Sequence, residues 1–562
     1  MRLEAAEILA QEGEYQQSLD MIQSIRLQQL PQDSLWRLLV LSAETSLALE
    51  EGRLTLQYLQ RVTDALNSLT RQQGYQLAGY KSQAFELTGH YTAAVNQSFR
   101  QTLLAGSNAE RTRAEERLWR LLSQVSGEEL ELLKASTSQP LLKGWVALAE
   151  VRQQTSEDFA AFNSLIAAWR SQWAGHPAHQ QPPEDIQRLA ELSQHQVEHL
   201  GIFLPTSGPL ADAAKAIRNA LVARHFHSLH EGKHHPRLTF FDTQGESLDE
   251  LYERAQEAGV EVVIGPLAKS RVDLLARRSS LPLPTLALNY SNLETTANQQ
   301  LFQFGLSAEN EAAQVARKAW QTGFRHALAL TPEGNWGTRV ERGFVEAWRE
   351  LGGEITHTRQ FGDDKSLDSA LRELLEVNLS QERHQRLTRL LGQRPHFVAR
   401  PREDSDFLFL HADTSTARQV KPALSFLMAS ELPVMATSFI YTGSPNPTQD
   451  DDMNGIAFTD ITWYLDPGAP LQEEIRSAWP ASMNRYGRLY AMGVDAYLLA
   501  QRLELLEVLP STRLEGATGR LNQSEGRIQR ELLWAQFING RPQPLPEGAF
   551  VQEPLVDQLI AD

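Results

Sequence analysis

Near residue 199 the spacing of apolar residues changes period, and that change limits the possible folds more than any other feature of the chain. Before it, apolar and small residues recur at three- and four-residue intervals, as in Leu35, Leu38, Leu39, Ser42 and Ala43, the period of an amphipathic helix. After it, short apolar runs at residues 202–204, 238–241, 260–264, 285–288, 327–330, 407–410 and 434–437 alternate with helical stretches such as 210–226, 248–258 and 309–322. Runs of that kind fit parallel strands covered by helices on both faces. The predicted fold is therefore multidomain: an all-α half, then an α/β half of two sheets, hence two lobes with a cleft between them.

Within the first half, Gly13-Glu14-Tyr15-Gln16-Gln17-Ser18 matches Gly89-His90-Tyr91-Thr92-Ala93-Ala94, with Gly52-Arg53-Leu54 between them. A turn thus recurs every ~37–39 residues, near the period of helix-hairpin repeats, and a TPR-like array is preferred to a plain bundle. The glycine would allow the turn, the aromatic or Leu would fill the gap, and the small Ser or Ala would let helices approach. Residues 175–183, with one glycine and three prolines, read as a linker, followed by a short helix at 184–192. The expected division is a helical domain at 1–173, a linker and short helix at 174–198, and an α/β domain at 199–562. In the latter, the first lobe takes about 199–308 and 462–540, and the second about 309–461 and 541–562.

Composition narrows the function. The 562 residues are 41% apolar and 22% charged, a globular balance. A net charge of −17 argues against bulk attraction to nucleic acid or anionic lipid. No cysteine is present, which removes disulfides, thiolate nucleophiles and cysteine-ligated metals together. No apolar run approaches the roughly 18 residues that cross a bilayer. The opening Met1-Arg2-Leu3-Glu4 is too charged for a signal-peptide core, so the expectation is either a cytosolic protein or a leader missing from this sequence.

Strings that spell catalytic and metal-binding motifs occur, but without the geometry those chemistries require. His230-Glu231-Gly232-Lys233-His234 spells the zinc-protease pattern, but Gly232 and Pro236 break the helix that would put both imidazoles on one face. The surrounding His225, His227 and His235 read as a solvated helix end. Asp450, Asp452, Asn454 and Gly455 mimic the start of a calcium loop, yet Ile461 stands where a bidentate Glu is needed. No nucleotide-binding glycine motif, nucleophile elbow or S-x-x-K occurs. The expected catalytic, metal and cofactor residues are none.

Two sets of residues remain as candidates. Ser207 and Gly208 follow the first strand and precede a helix, where Ser207 either caps the helix or helps backbone N–H groups hold an anion. Arg383, Arg386 and Arg389 share a helical face at three-residue spacing, and Arg394, Arg400 and Arg402 extend the patch toward the strand at Phe407. Such forks suit carboxylate-rich partners; a solvated face is the plainer reading.

The α/β half resembles type I periplasmic binding proteins, and the whole chain resembles the LpoA family, outer-membrane lipoproteins that activate class A penicillin-binding proteins. The resemblance is carried by residues 169–178, by 203–210 (Phe-Leu-Pro-Thr-Ser-Gly-Pro-Leu), and by Val263-Ile264-Gly265-Pro266-Leu267. It continues through Leu286-Ala287-Leu288-Asn289, Phe304-Gly305-Leu306-Ser307, Trp336-Gly337-Thr338-Arg339, Ala436-Thr437-Ser438 and Asn446-Pro447. Asp452-Met453-Asn454-Gly455-Ile456, residues 488–497, Gly516-Ala517-Thr518-Gly519 and Gly526-Arg527-Ile528-Gln529-Arg530 complete it. It implies a non-catalytic, monomeric periplasmic regulator, tethered to the outer membrane by a lipidated N-terminal cysteine. The partner would be a bifunctional peptidoglycan synthase whose transpeptidase activity it stimulates. This sequence has neither leader nor acylated cysteine, a departure from the family pattern. The alternative is a solute sensor for an amino-acid-like or muropeptide ligand. Where such receptors place Ser or Thr on the ligand this chain has Leu288-Asn289-Tyr290, so a cleft lined by Ser207, Gly208, Asn289 and Tyr290 is expected to be filled by side chains.

Overall fold

The computed structural model describes residues 2–27, 30–293, 298–393, 396–510 and 512–545. The first half begins with three antiparallel hairpins: Arg2–Gln11 with Tyr15–Gln23, Gln32–Ala48 with Gly52–Thr63, and Arg71–Leu87 with Tyr91–Leu104. In the first and third, a left-handed glycine makes the turn, Gly13 at φ 83° and Gly89 at φ 78°. In the second that place falls to Glu50 at φ 57°, and the helix restarts on Gly52 itself. The Gly52 match is therefore two residues out of register with the turn. Gly52 serves packing instead, since a Cβ there would lie 2.7 Å from the Ala84 carbonyl oxygen and the Leu87 Cβ. The fourth residue of each second helix is small and closes the hairpin. Ser18 donates to the Ala6 carbonyl at 2.8 Å, Thr55 bonds Ser46 at 2.7 Å, and the Ala94 carbonyl accepts from Ser82 at 3.0 Å.

The segment expected as a linker is instead packed down. A short helix, Pro177–Gln180, interrupts it, and His176 is 3% exposed. Its ring meets Trp145 and Trp169 edge-on at 4.9 and 5.5 Å, and its Nε2 lies 3.0 Å from the Leu141 carbonyl oxygen. Glycine and proline here mark a change of direction, not freedom of the chain.

The α/β half builds two sheets in alternation. Strands β1 (His199–Leu204), β2 (Arg237–Asp242), β3 (Val262–Ile264), β4 (Thr285–Ala287) and β5 (Leu301–Gln303) pair in parallel in the first lobe. The chain then crosses to the second lobe for β6 (His326–Pro332), β7 (Glu354–Phe361), β8 (Phe407–Leu410), β9 (Val434–Ala436) and β10 (Ile456–Asp460), again parallel. It returns to add β11 (Leu514–Gly516), β12 (Gly519–Ser524) and β13 (Arg527–Glu531) to the first sheet. A last crossing lays β14 (Leu533–Ile538) antiparallel on β10, with β15 (Arg541–Pro544) beyond it. Residues 533–538 thus belong to the second lobe rather than the first, because Phe537 and Ala535 bury against that lobe's core beside Phe458. Beyond residue 545 the expected lobe assignment lies outside the described residues.

The two lobes join the helical half in different ways. One apolar cluster runs without a break from Phe85, Trp145 and Leu189 of the helices into Leu200, Ile217 and Leu286 of the first lobe. Within this junction Arg152 Nε lies 2.7 Å from Asp185, which also accepts from Trp119 Nε1 at 2.7 Å. Arg152 reaches Thr512 at 3.4 Å; Arg502 donates to the Ser156 carbonyl at 2.7 Å, with its guanidinium 4.1 Å from the Phe159 ring centre. The second lobe has cores of its own on either side of its sheet. Polar contacts tie it to the helices: Arg53 donates to the Thr322 carbonyl at 3.0 Å, and Arg325 pairs with Glu51 at 2.9 Å.

Candidate partner surface and interlobe cleft

The predicted arginine stripe lies on the helix Val377–Leu391 of the second lobe. Glu376 and Gly392, both left-handed, bracket it at φ 53° and 65°. Only Val377 is buried, and His384 seats the middle of the helix by stacking on Phe397 at 4.2 Å. Arg383, Arg386 and Arg389 are exposed, and among the described residues none of them forms an ion pair; Arg389 Nε reaches its own helix at the Gln385 carbonyl, 3.3 Å away.

The rest of the predicted patch divides. Arg400 is exposed and lines a cavity of about 880 Å³. The cavity is bounded by Arg53 of the helical half and by Phe324, Leu328, Val398 and Met428 of the second lobe. Arg402 does not belong to a free surface. Its guanidinium is held by Asp404 at 2.6 Å and lies 3.5 Å from Glu376, while its N–H donates to the Leu375 carbonyl at 2.9 Å. The hydrogen bond to Asp404 raises the pKa of Arg402 and lowers that of the carboxyl. Arg394 lies outside the described residues.

The predicted cleft residues are largely spent on the first lobe itself. Asn289 Nδ2 donates to the Leu267 carbonyl at 3.2 Å and its Oδ1 accepts from the Tyr290 N–H at 3.0 Å. The Tyr290 hydroxyl donates to the Ile528 carbonyl at 2.6 Å, and burial pushes its pKa up. Gly305 makes room for that ring, since a Cβ there would meet it at 3.0 Å. Ser207 and Gly208 stand exposed in the turn after β1; the following helix starts at Ala211 without a side-chain cap, so Ser207 is not the capping residue.

On the second lobe, side chains occupy the strand ends. Trp336 lies edge-on to His411 at 4.3 Å and to Phe439 at 4.7 Å. His411 is buried, its Nδ1 is 2.6 Å from Thr437 Oγ1, and burial lowers its pKa to about 4. Charged groups then stitch lobe to lobe. Glu311 accepts from Ser438 at 2.7 Å and faces Arg530 of β13 at 3.5 Å. Arg488 of the first lobe pairs with Asp460 at 2.6 Å and donates to the Ser438 and Tyr441 carbonyls at 3.0 Å. Neither tie is among the predicted site residues; isolated charges in apolar stretches (Asp460 at the end of a strand, Arg488 within a helix) are the available signal.

The residues of the remaining motifs make contacts within the chain. The helix Ala211–His230 ends at Glu231, so His230 and His234 do not share a helical face. His234 Nε2 is 2.8 Å from the Val197 carbonyl oxygen, and His227 lies 3.4 Å from Glu231 and 3.2 Å from Glu474. In the calcium-like string, Asp450 is taken by Arg418 at 2.7 Å, and Asn454 accepts from the Gly540 N–H at 2.9 Å. Among the described residues no helix is long and apolar enough to cross a membrane.

A family model described as "LppC putative lipoprotein" matches residues 1–540. The chain belongs to the LppC family. Its relatives include the penicillin-binding protein activator LpoA of Photobacterium profundum, 28% identical over 508 residues, covering 88% of this chain and 82% of that one. The same-named protein of Vibrio antiquarius is 28% identical over 459 residues, covering 79% and 75%. Among solved structures, Haemophilus influenzae LpoA aligns with 97% of this chain and 94% of its own at a TM-score of 0.53 and 22% identity, which shows the shared fold. The C-domain of the same LpoA, a regulator of PBP1A, aligns with 62% of this chain and 100% of its own at a TM-score of 0.50 and 25% identity. The LppC fold thus spans both the helical and the α/β half.

Proposed function

We propose that this chain is a non-catalytic activator of a class A penicillin-binding protein, acting chiefly on its transpeptidase reaction. The observation that carries the reading is the family match across residues 1–540, with relatives named as penicillin-binding protein activators. The geometry supports it from two sides. The strand ends facing the cleft are occupied by Tyr290, Trp336 and Phe439, and the lobes are joined by charged pairs whose carboxylates, Asp460 and Glu311, are buried, which suits a fixed binding surface better than a receptor that closes on a solute. The second lobe also presents Arg383, Arg386, Arg389 and Arg400, without ion pairs among the described residues, on a protein of net charge −17. In this reading the activator is monomeric and is held at the outer membrane by a lipid anchor. The arginines meet carboxylates of the synthase and set the rate and specificity of encounter. The test is cross-linking by a purified class A synthase with and without the chain. Increased cross-linking is the expected result; an unchanged peptide-bridge content at saturating chain would refute the proposal.

A further inference from the structure

The helix Val377–Leu391 exposes more apolar surface than a solvated helix needs. Leu379, Leu387, Leu390 and Leu391 are 41%, 51%, 75% and 62% exposed. At 3.6 residues per turn, Arg386, Leu379, Leu390, Arg383, Leu387 and Leu391 follow one another round the helix over an arc of about 140°. The strap that returns from the helix is pinned by the His384–Phe397 stack at one end and by the bond from Arg402 N–H to Leu375 at the other. It leaves Val398 52% exposed at the cavity that Met428 also lines. Four exposed leucines gathered on one side of a helix mark an interaction site.

We infer that this mixed face is where the synthase docks, with the leucines as its water-excluding contacts and Arg383 and Arg386 as charged anchors set among and beside them. The inference rests on the function proposed above and adds the chemistry of the partner surface: apolar, with carboxylates set into it that accept the arginine forks. Charge selects this occupant over the others. In a two-fold contact between copies of the chain the same patch faces itself, which would bring the Arg383 and Arg386 stripes of two copies together. The helix has a single acidic residue, Glu382, to offset them. A lipid surface favours leucines on one side and cations on the other, whereas here Arg383 lies between Leu390 and Leu387.

The test compares three variants of the whole chain with the parent, for melting temperature and for affinity to a purified class A synthase at two salt concentrations. Leu387→Gln with Leu390→Gln removes the apolar centre and keeps good helix formers; Leu387→Met with Leu390→Met keeps the centre. Arg383→Ala with Arg386→Ala and Arg389→Ala removes the charged anchors. The glutamine pair is expected to melt like the parent and to bind at least about tenfold more weakly at both salt concentrations, while the methionine pair binds like the parent. The arginine triple is expected to lose affinity mainly at low salt. Binding by the glutamine pair within about twofold of the parent would overturn the inference while leaving the proposed function intact. A parent that bound no class A synthase would overturn both. A parent dimer that the glutamine pair dissolves, or leucine-dependent binding to phosphatidylglycerol vesicles with synthase binding unchanged, would replace the synthase as occupant.

Discussion

Arginine is used in opposite ways at the helical junction and on the outer face of the second lobe. At the junction Arg152 and Arg502 are buried, and their donors are taken up by Asp185, Thr512 and the Ser156 carbonyl. On the helix Val377–Leu391 the arginines stand in water without ion pairs among the described residues. The first group is satisfied by the chain itself and has little left to offer a partner. The second holds its donors in reserve. Recognition capacity therefore follows the hydrogen bonds that folding leaves unused, and a count of basic residues does not measure it.

The comparison can be broken most forcibly at the junction. Asp185→Ala removes the carboxylate that accepts from both Arg152 and Trp119 Nε1, and losing two buried hydrogen bonds to a charged group should cost about 3–5 kcal/mol of stability. Denaturant unfolding measures it, and an unchanged midpoint would mean that the junction is open to water. His411 offers a third case, a buried base kept neutral instead of paired. Its folded pKa of about 4 lies below its ordinary value near 6.5, so the unfolded chain binds the proton first. Its contribution is complete above pH 6.5 and is lost as pH falls toward 4, on the order of 3 kcal/mol in all. His411→Gln, which keeps a hydrogen-bonding side chain but cannot protonate, should flatten that part of the stability curve.

Smaller effects sharpen the other side. Replacing Arg383, Arg386 and Arg389 together by Ala should leave the melting temperature unchanged and weaken synthase binding roughly 5- to 150-fold at low salt. Wild-type affinity with wild-type salt dependence would reduce the stripe to a solvated face. Least of all, Arg386→Lys alone should move the melting temperature by less than about 1 °C, because its guanidinium has no ion-pair partner among the described residues whose geometry a lysine would lose.

Much of this architecture is legible in the sequence because burial on both faces leaves a strong imprint. Ile202 to Leu204 and Phe407 to Leu410 are apolar throughout and lie in strands paired on both sides. By contrast β7, Glu-Ile-Thr-His-Thr-Arg-Gln-Phe, is an edge strand whose polar side chains conceal it. The late strands β11–β15 are short, largely antiparallel and half-exposed, so their lobe membership depends on register that no local pattern states. At the candidate surface the three-residue arginine spacing is enough to reveal the helical face. The leucines beside it escape notice because a leucine in a helix ordinarily points inward, and only the folded chain shows that Val377 alone does so. Arg402 is misassigned for the converse reason: its partners Glu376 and Asp404 lie on either side of a strap whose path is a tertiary property.

The repeated crossing of the chain between lobes also sets an order of assembly. During synthesis the hairpins of the first half can close as soon as they emerge, since their contacts are local. Neither sheet can be finished then: the first waits for β11–β13 and the second for β14–β15, so both depend on the last described stretch of chain. Until that stretch is made, the β10 edge that β14 covers stays open to unwanted strand pairing. A nascent chain stalled before residue 514 would thus hold a completed helical array followed by two unclosed lobes, the state in which a folding helper has most to protect.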